Sequence, residues 1–148
     1  MAVIMMAASL FVSHGAQAHL RHTHPRLIIV VDISAHEMQV SLDGVQRYVW
    51  RVATAMSGYK TPRGVFRIHL MDSKHTSSKY SYWNSRLQKD LPAPMPYSLF
   101  FSGNVAIHGG TLRKGSHGCI HLGLHHAITL FYLVERVGRR RVRVVVHR

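Results

Sequence analysis

Ala106-Ile107-His108-Gly109-Gly110-Thr111-Leu112-Arg113-Lys114-Gly115-Ser116-His117-Gly118-Cys119-Ile120-His121-Leu122 is the most informative stretch of this chain. It holds the one cysteine, two histidines upstream of it, and glycines at 109, 110, 115 and 118. A thiol becomes a nucleophile when a base within hydrogen-bond reach takes its proton and the resulting cation stabilises the thiolate. Glycines allow tight turns that expose backbone N–H groups, and two such groups aimed at one point can hold an oxyanion. If the segment is extended, His117 shares a face with Cys119. His108 ends the preceding strand, and the glycine-containing loop can fold it back onto the thiol. Spacing alone leaves both histidines open as the base. No Asp or Glu lies between residues 91 and 134. A backbone carbonyl or an amide side chain, rather than a local carboxylate, is therefore expected to orient the histidine.

Outward from this stretch the chain reads as strands. Leu27 to Ile33 is a β-branched run, His36 to Leu42 alternates polar and apolar residues, and Val45 to Val52 returns after the Asp43-Gly44 turn signal. Together they predict an opening β-meander. Ser57 to Gly64 is turn-rich, and Thr61-Pro62-Arg63-Gly64 is expected to be a structural turn. Val65 to Met71 predicts another strand. Residues 72–96 are polar, carry Pro92, Pro94 and Pro96, and are expected to form a long lid or binding loop. Tyr80, Tyr82 and Trp83 within it suit either a carbohydrate or peptide platform or loop packing. Leu99 to Ser102 and Asn104 to His108 predict two more strands. Leu124 to Val137 predicts a helix, with Leu124, Ile128 and Phe131 on one face broadened by Ala127, Leu130, Val134 and Val137, and Gly138 as its stop. Val142 to Val146 predicts a closing strand. The sum is a mainly β, mostly antiparallel domain with one helix near the C-terminus.

The 148 residues suit a single domain. Residues 1–18 stand apart, with an apolar run from Val3 to Val12 and the small-x-small pattern Ala16-Gln17-Ala18, as in a cleavable export signal. The run is too short for a stable membrane span, which needs ~20 apolar residues. Residues 19–25 are a His-rich, flexible lead-in, and the catalytic domain is placed at 26–147. Nineteen Lys plus Arg against six Asp plus Glu give a formal net charge of +13. Such a surface draws polyanions. With an export signal, anionic cell-envelope polymers are favoured over nucleic acid, and the Arg139-Arg140-Arg141-Arg143 cluster is expected to be a solvated strand edge. One cysteine excludes an intramolecular disulfide. In an exported protein a lone thiol is exposed to oxidation, so its retention suggests use.

The pieces taken in order resemble the YkuD-type L,D-transpeptidases. In that family an upstream His-Gly is followed by Ser-His-Gly-Cys, a hydrophobic residue and usually Arg, as in His108-Gly109 and Ser116-His117-Gly118-Cys119-Ile120. Thr61-Pro62-Arg63-Gly64-Val65-Phe66 is similar to its Thr-Pro-x-Gly-x-Phe/Tyr loop, and Met95 to Gly103 to the strand leading to its catalytic histidine. The resemblance covers roughly residues 26–147. It implies a YkuD-like β-sandwich and an exported, periplasmic or cell-envelope enzyme that cross-links peptidoglycan by acyl transfer through a cysteine thioester. Donor and acceptor stem peptides are the implied partners, and no metal or organic cofactor is required. It further implies Cys119 as nucleophile, His108 as base held by a backbone carbonyl such as that of Gly109, and His117 as a substrate-positioning residue. The N–H groups of Gly118 and Cys119 are the implied oxyanion donors, with Gly109, Ser116 and His121 lining the site. His121 stands where the family usually has Arg and lacks that residue's bidentate fork, so Arg113 or Lys114 would have to supply the charge.

Two other readings remain open on the sequence. A hydrolase of the same family, an L,D-carboxypeptidase, would use water as acceptor. A non-catalytic, basic, His-rich envelope protein could instead bind metal, since His117, Cys119 and His121 alternate and zinc accepts such ligands. No second cysteine supports that metal site, and the Ser-His-Gly-Cys context accounts for the same residues without one.

Overall fold

The computed structural model describes residues 26–148. The expected export signal (1–18) and lead-in (19–25) lie outside the described residues. The elements run β1 (Leu27–Asp32), β2 (Glu37–Leu42), β3 (Val45–Arg51), β4 (Gly64–Phe66), β5 (Leu70–Asn84), β6 (Lys89–Ser102), β7 (Val105–Gly109), β8 (Ile120–Leu122), helix α1 (Leu124–Val137) and β9 (Val142–His147). They form two sheets, ordered β3-β2-β1-β9-β4 and β5-β6-β7-β8. The result is the mainly β sandwich expected, with its one α-helix near the C-terminus.

The opening meander forms because period-2 burial matches the pleat. Leu27, Ile29 and Val31 of β1 are fully buried, as are Met38 and Val40 of β2. Asp43 and Gly44 take positive φ values of 53° and 80°, the hairpin geometry their residue types favour. β9 lies parallel to β1 and inserts between β1 and β4. Val142, Val144 and Val146 turn inward while Arg143 stays on the outer side, half-buried. The arginine cluster is thus not a sheet edge. Arg139 to Arg141 form an exposed 3-10 turn leading into an interior strand. Arg67 donates to the Arg140 carbonyl and Arg139 to that of His69, which anchors this turn.

The expected strand from Val65 to Met71 divides in two. Ile68, 4% exposed, turns into the core where the chain passes from the first sheet to the second. The expected loop over residues 72–96 is instead a long antiparallel hairpin, β5 with β6. Polar composition here reflects a ribbon solvated on much of its surface, not an absence of pairing. The prolines are tolerated because of their spacing. Pro92, Pro94 and Pro96 fall at every second residue, so their missing N–H groups share one edge of β6. β7 pairs with β6 only from Leu99 onward, so that edge makes no ladder there.

Helix α1 has the expected bounds but a rotated face. Ala127, Leu130, Phe131, Val134 and Val137 are buried against β6, β7 and β8. Leu124 is 53% exposed and Ile128 is half-buried. Leu124 sits in the first turn, beyond the apolar floor, and becomes a wall of the cleft described below. Stacking of Trp50 on His126, with centroids 5.0 Å apart, ties the helix to β3.

Leu130 is fully buried at the middle of the α1 stripe. Leu130→Ala is expected to cost about 2–5 kcal/mol through lost transfer energy and a residual cavity. Urea denaturation followed by circular dichroism checks it, against Leu124→Ala as a near-neutral control.

Candidate active site

β7 and β8 pair in parallel, with Ile107 opposite Ile120, His108 opposite His121 and Gly109 opposite Leu122. Alternation sends the fully buried Ile107, Ile120 and Leu122 into the core and both histidines to the opposite face. One register step back, Ala106 and Cys119 fall on that same face. Cys119, half-buried, packs with Ala106, Met95 and Phe100. Cys119 therefore lies diagonally across the strand pair from His108, a placement from which cross-strand side chains interact.

His108 is 5% exposed. Its Nδ1 lies 3.0 Å from the carbonyl oxygen of Gly109, so Nδ1–H donates there and Nε2 is the basic nitrogen. The His121 ring meets it edge-on with centroids 4.7 Å apart, and His121 Nδ1 donates to the Thr111 carbonyl at 3.1 Å. On the other flank His75 Nδ1–H donates to Asp72 Oδ2, 3.1 Å away, and the ring packs edge-on to Phe100.

The loop before β8 is braced from two directions. The Ser116 hydroxyl donates to the Cys119 carbonyl and accepts from the Gly118 N–H at 2.9 Å. Gly118 has φ 137°, and a Cβ there would stand 3.1 Å from the Lys60 carbonyl oxygen, so both conformation and space call for glycine. From the other side, the segment after β3 pairs with the loop. Ala53 and His121 exchange hydrogen bonds of 3.1 and 2.8 Å, Ser116 N–H donates to Thr54, and Met56 N–H donates to Ser116. The buried Thr61 hydroxyl accepts from Ala55 N–H at 3.0 Å, so the Thr61-Pro62 turn supports the loop rather than entering the cleft. A Cβ on Gly115 would lie 2.7 Å from the Met56 backbone nitrogen, which only glycine avoids.

His117 does not extend alongside Cys119. Its ring stacks on Tyr80 of β5 at 4.0 Å and 7°, and Tyr59 meets it edge-on at 4.6 Å. The turn at Gly118 breaks the alternation that would have placed His117, Cys119 and His121 on one face. Among the described residues, no group of three or more His, Cys, Asp or Glu is placed to hold a metal ion.

These side chains line a cleft of about 970 Å³, walled by the β5–β6 hairpin, the 110–119 loop and Leu124. His108, Gly109, Ser116, His117, Cys119 and His121 all border it. Of the two cations considered as stand-ins for the missing arginine, Lys114 borders the cleft and Arg113 does not. Burial pushes the His108 imidazole down to about 4, against the opposing Gly109 hydrogen bond and helped by the His121 and His75 rings. Burial also lowers His121 and raises the Cys119 thiol, the latter opposed by a backbone hydrogen bond from Ala106. Burial thus favours the neutral thiol and the neutral imidazole over their charged forms. Tyr59 and His75 were not singled out from the sequence. Each meets the site's residues through tertiary contacts that no local pattern announces.

A sequence model of the YkuD L,D-transpeptidase catalytic domain matches residues 26–146. No curated protein sequence matches the chain. Among solved structures it is similar to an L,D-transpeptidase from Mycobacterium smegmatis, at TM-score 0.68 and 20% identity over 84% of this chain and 59% of that one. L,D-transpeptidase 1 from Mycobacterium tuberculosis gives TM-score 0.66 at 23% identity, covering 84% and 62% respectively. A cysteine-to-serine variant of the Enterococcus faecium L,D-transpeptidase gives 0.65 at 22%, covering 82% and 50%. The chain thus spans between one half and about three-fifths of the length of these proteins.

Because His108 has its affinity for protons lowered from 6.5 to about 4 on folding, the unfolded chain binds a proton between those pH values that the folded chain excludes. Stability from this residue is whole above pH 6.5 and drains away as pH falls towards 4, by roughly 3 kcal/mol. Urea denaturation at pH 7.5 and pH 4.5 is expected to show that loss, and His108→Gln is expected to remove most of it.

Proposed function

The chain belongs to the YkuD family of L,D-transpeptidase catalytic domains, and from that premise we propose that it forms peptidoglycan cross-links by acyl transfer through a Cys119 thioester in the cell envelope. The observation that carries this reading is the β7–β8 register, which sets Cys119, His108 and His121 on one face of a strand pair at the floor of a cleft.

The donor is a stem peptide whose carbonyl at an L-centre enters the cleft. Nε2 of His108 takes the Cys119 proton as sulfur attacks that carbonyl carbon. Burial disfavours both the thiolate and the imidazolium, which favours transfer of the proton as sulfur attacks over a preformed ion pair. The N–H of Cys119 serves the oxyanion. The Gly118 N–H, expected from the family to join it, is committed to Ser116 Oγ in this structure. Collapse of the tetrahedral intermediate breaks the C–N bond, and the His108 imidazolium returns the proton to the leaving amine. An acceptor amine then attacks the thioester, His108 takes a proton from that amine, and the thiol is restored. A second stem's side-chain amine as acceptor yields a 3→3 cross-link. His117, clamped by Tyr80 and Tyr59, positions substrate at the cleft mouth. His121 stands in place of arginine and steadies the His108 ring through its edge contact and its bond to Thr111.

An L,D-transpeptidase solved in complex with imipenem shares this fold at TM-score 0.67, which recommends a carbapenem as probe. Intact mass after exposure is expected to show one covalent adduct on the wild type and none on Cys119→Ala. His108→Gln is expected to slow adduct formation about a hundredfold or more. Absence of an adduct, together with no turnover of tetrapeptide stems, sinks the enzymatic reading. Turnover that releases D-Ala without any amine-linked product assigns water as the acceptor.

The neutral resting pair makes its own prediction. Alkylation of Cys119 by iodoacetamide is expected to be slow at pH 7 and to rise with pH beyond the ordinary thiol range, because burial raises that thiol. A fast, pH-independent reaction between pH 5 and 8 would signal a preformed thiolate instead.

A further inference from the structure

A second cavity, of about 610 Å³, lies on the far side of the 112–115 loop from the catalytic cleft. Arg51, at the end of β3, His36, Arg113 and Lys114 border it. No acidic side chain does. Glu37 pairs with Arg51 in the strand register, but its carboxylate accepts from Gln39, and among the described residues no ion pair engages Arg51, Arg113 or Lys114. The floor is the backbone of Val52 to Met56, the same segment that braces the Cys119 loop. The wall is thin. Met56, Lys114 and Gly115 border both cavities, and Gly115 presses so close to Met56 that a single Cβ would not fit between them.

From this arrangement we infer that the basic cavity is a carboxylate-binding site for the acceptor stem peptide, which reaches the Cys119 thioester across the Lys114–Gly115 ridge. The inference rests on the proposed acyl transfer and extends it to the second substrate. Three unpaired cations around a concave space suit a small polyanion, since each carboxylate gains charge-assisted hydrogen bonds that solvated partners would otherwise weaken. The volume accommodates a few peptide residues, and the shared residues Met56, Lys114 and Gly115 set the two cavities side by side, so an occupant long enough to cross the ridge comes to the thioester. Attached to the loop that carries Cys119, the site also places its ligand relative to the nucleophile and not merely near the protein. His117 and Tyr80, on the other side of the ridge, remain with the donor.

The test uses the full chain in two forms. In Cys119→Ala protein labelled with 15N, a synthetic tetrapeptide stem with free carboxylates is titrated at low salt and amide shifts are followed. Two groups of shifts are expected, one around His117 in the cleft and one at Arg51, Thr54 and Arg113. Amidating the stem carboxylates, or the double substitution Arg51→Gln with Arg113→Gln, is expected to weaken the second group roughly tenfold while sparing the first. In protein with the cysteine intact, the same double variant is expected to raise the acceptor KM by about tenfold and leave the rate of carbapenem acylation unchanged. Both substituted residues are exposed, and an unchanged circular dichroism spectrum verifies the fold. If only the cleft shifts move, or if amidation has no effect on the second group, the inference is overturned. If inorganic pyrophosphate occupies the second group more tightly than the stem, the site serves a phosphate-bearing polymer and the acceptor assignment falls. If the wild type never acylates but the second group still responds to carboxylates, the transferase reading fails while the binding site stands.

Discussion

Everything chemical in this protein depends on the parallel pairing of two short strands, β7 and β8. The pairing has only three register positions, yet it decides which side chains belong to the core and which to the cleft. A slip of either strand by one residue would turn its histidine into an interior that desolvates it without partners, and its isoleucine out of the core. The slip is opposed from three sides. The core closes over Ile107, Ile120 and Leu122. The exchange between Ala53 and His121 fixes the outer edge of β8. The Ser116 hydroxyl ties the start of the strand to its own loop. The apolar packing of the sandwich and the placement of the thiol are therefore one structural decision.

The same burial that secures the register sets the protonation of the site. A histidine this enclosed resists charge, and a thiol packed among Met95, Phe100 and Ala106 resists ionisation. A cysteine held in this state is protected from adventitious alkylation and oxidation, because the reactive species is the thiolate.

Local patterns made much of this visible in advance. The meander, the helix bounds and the closing strand β9 follow from periodicities of two and 3.6 and from β-branched runs. The grouping of Cys119 with His108 and His121 came from motif context. The Gly109 carbonyl, which receives His108 Nδ1–H, was expected from the same family context. What the sequence concealed was long-range. The β5–β6 hairpin looked like a loop because its residues are polar and carry three prolines, and nothing local reveals that β5 will pair with them. The stacking of His117 on Tyr80 joins positions 37 residues apart and turns the ring away from the face it would share with Cys119 on a regular strand. The commitment of the Gly118 N–H to Ser116 is a detail of loop geometry below the resolution of any motif.

The proline spacing in β6 bears on how a ligand can be gripped. Ala93, Pro94, Met95 and Pro96 border the catalytic cleft, and every second residue there has no amide hydrogen to offer. A peptide lying against this edge finds acceptors but an interrupted row of donors, so it cannot be added as a further strand in regular fashion. Recognition must then come from side chains and from the few loop amides. That arrangement is indifferent to the handedness of successive residues, whereas a strand ladder is not.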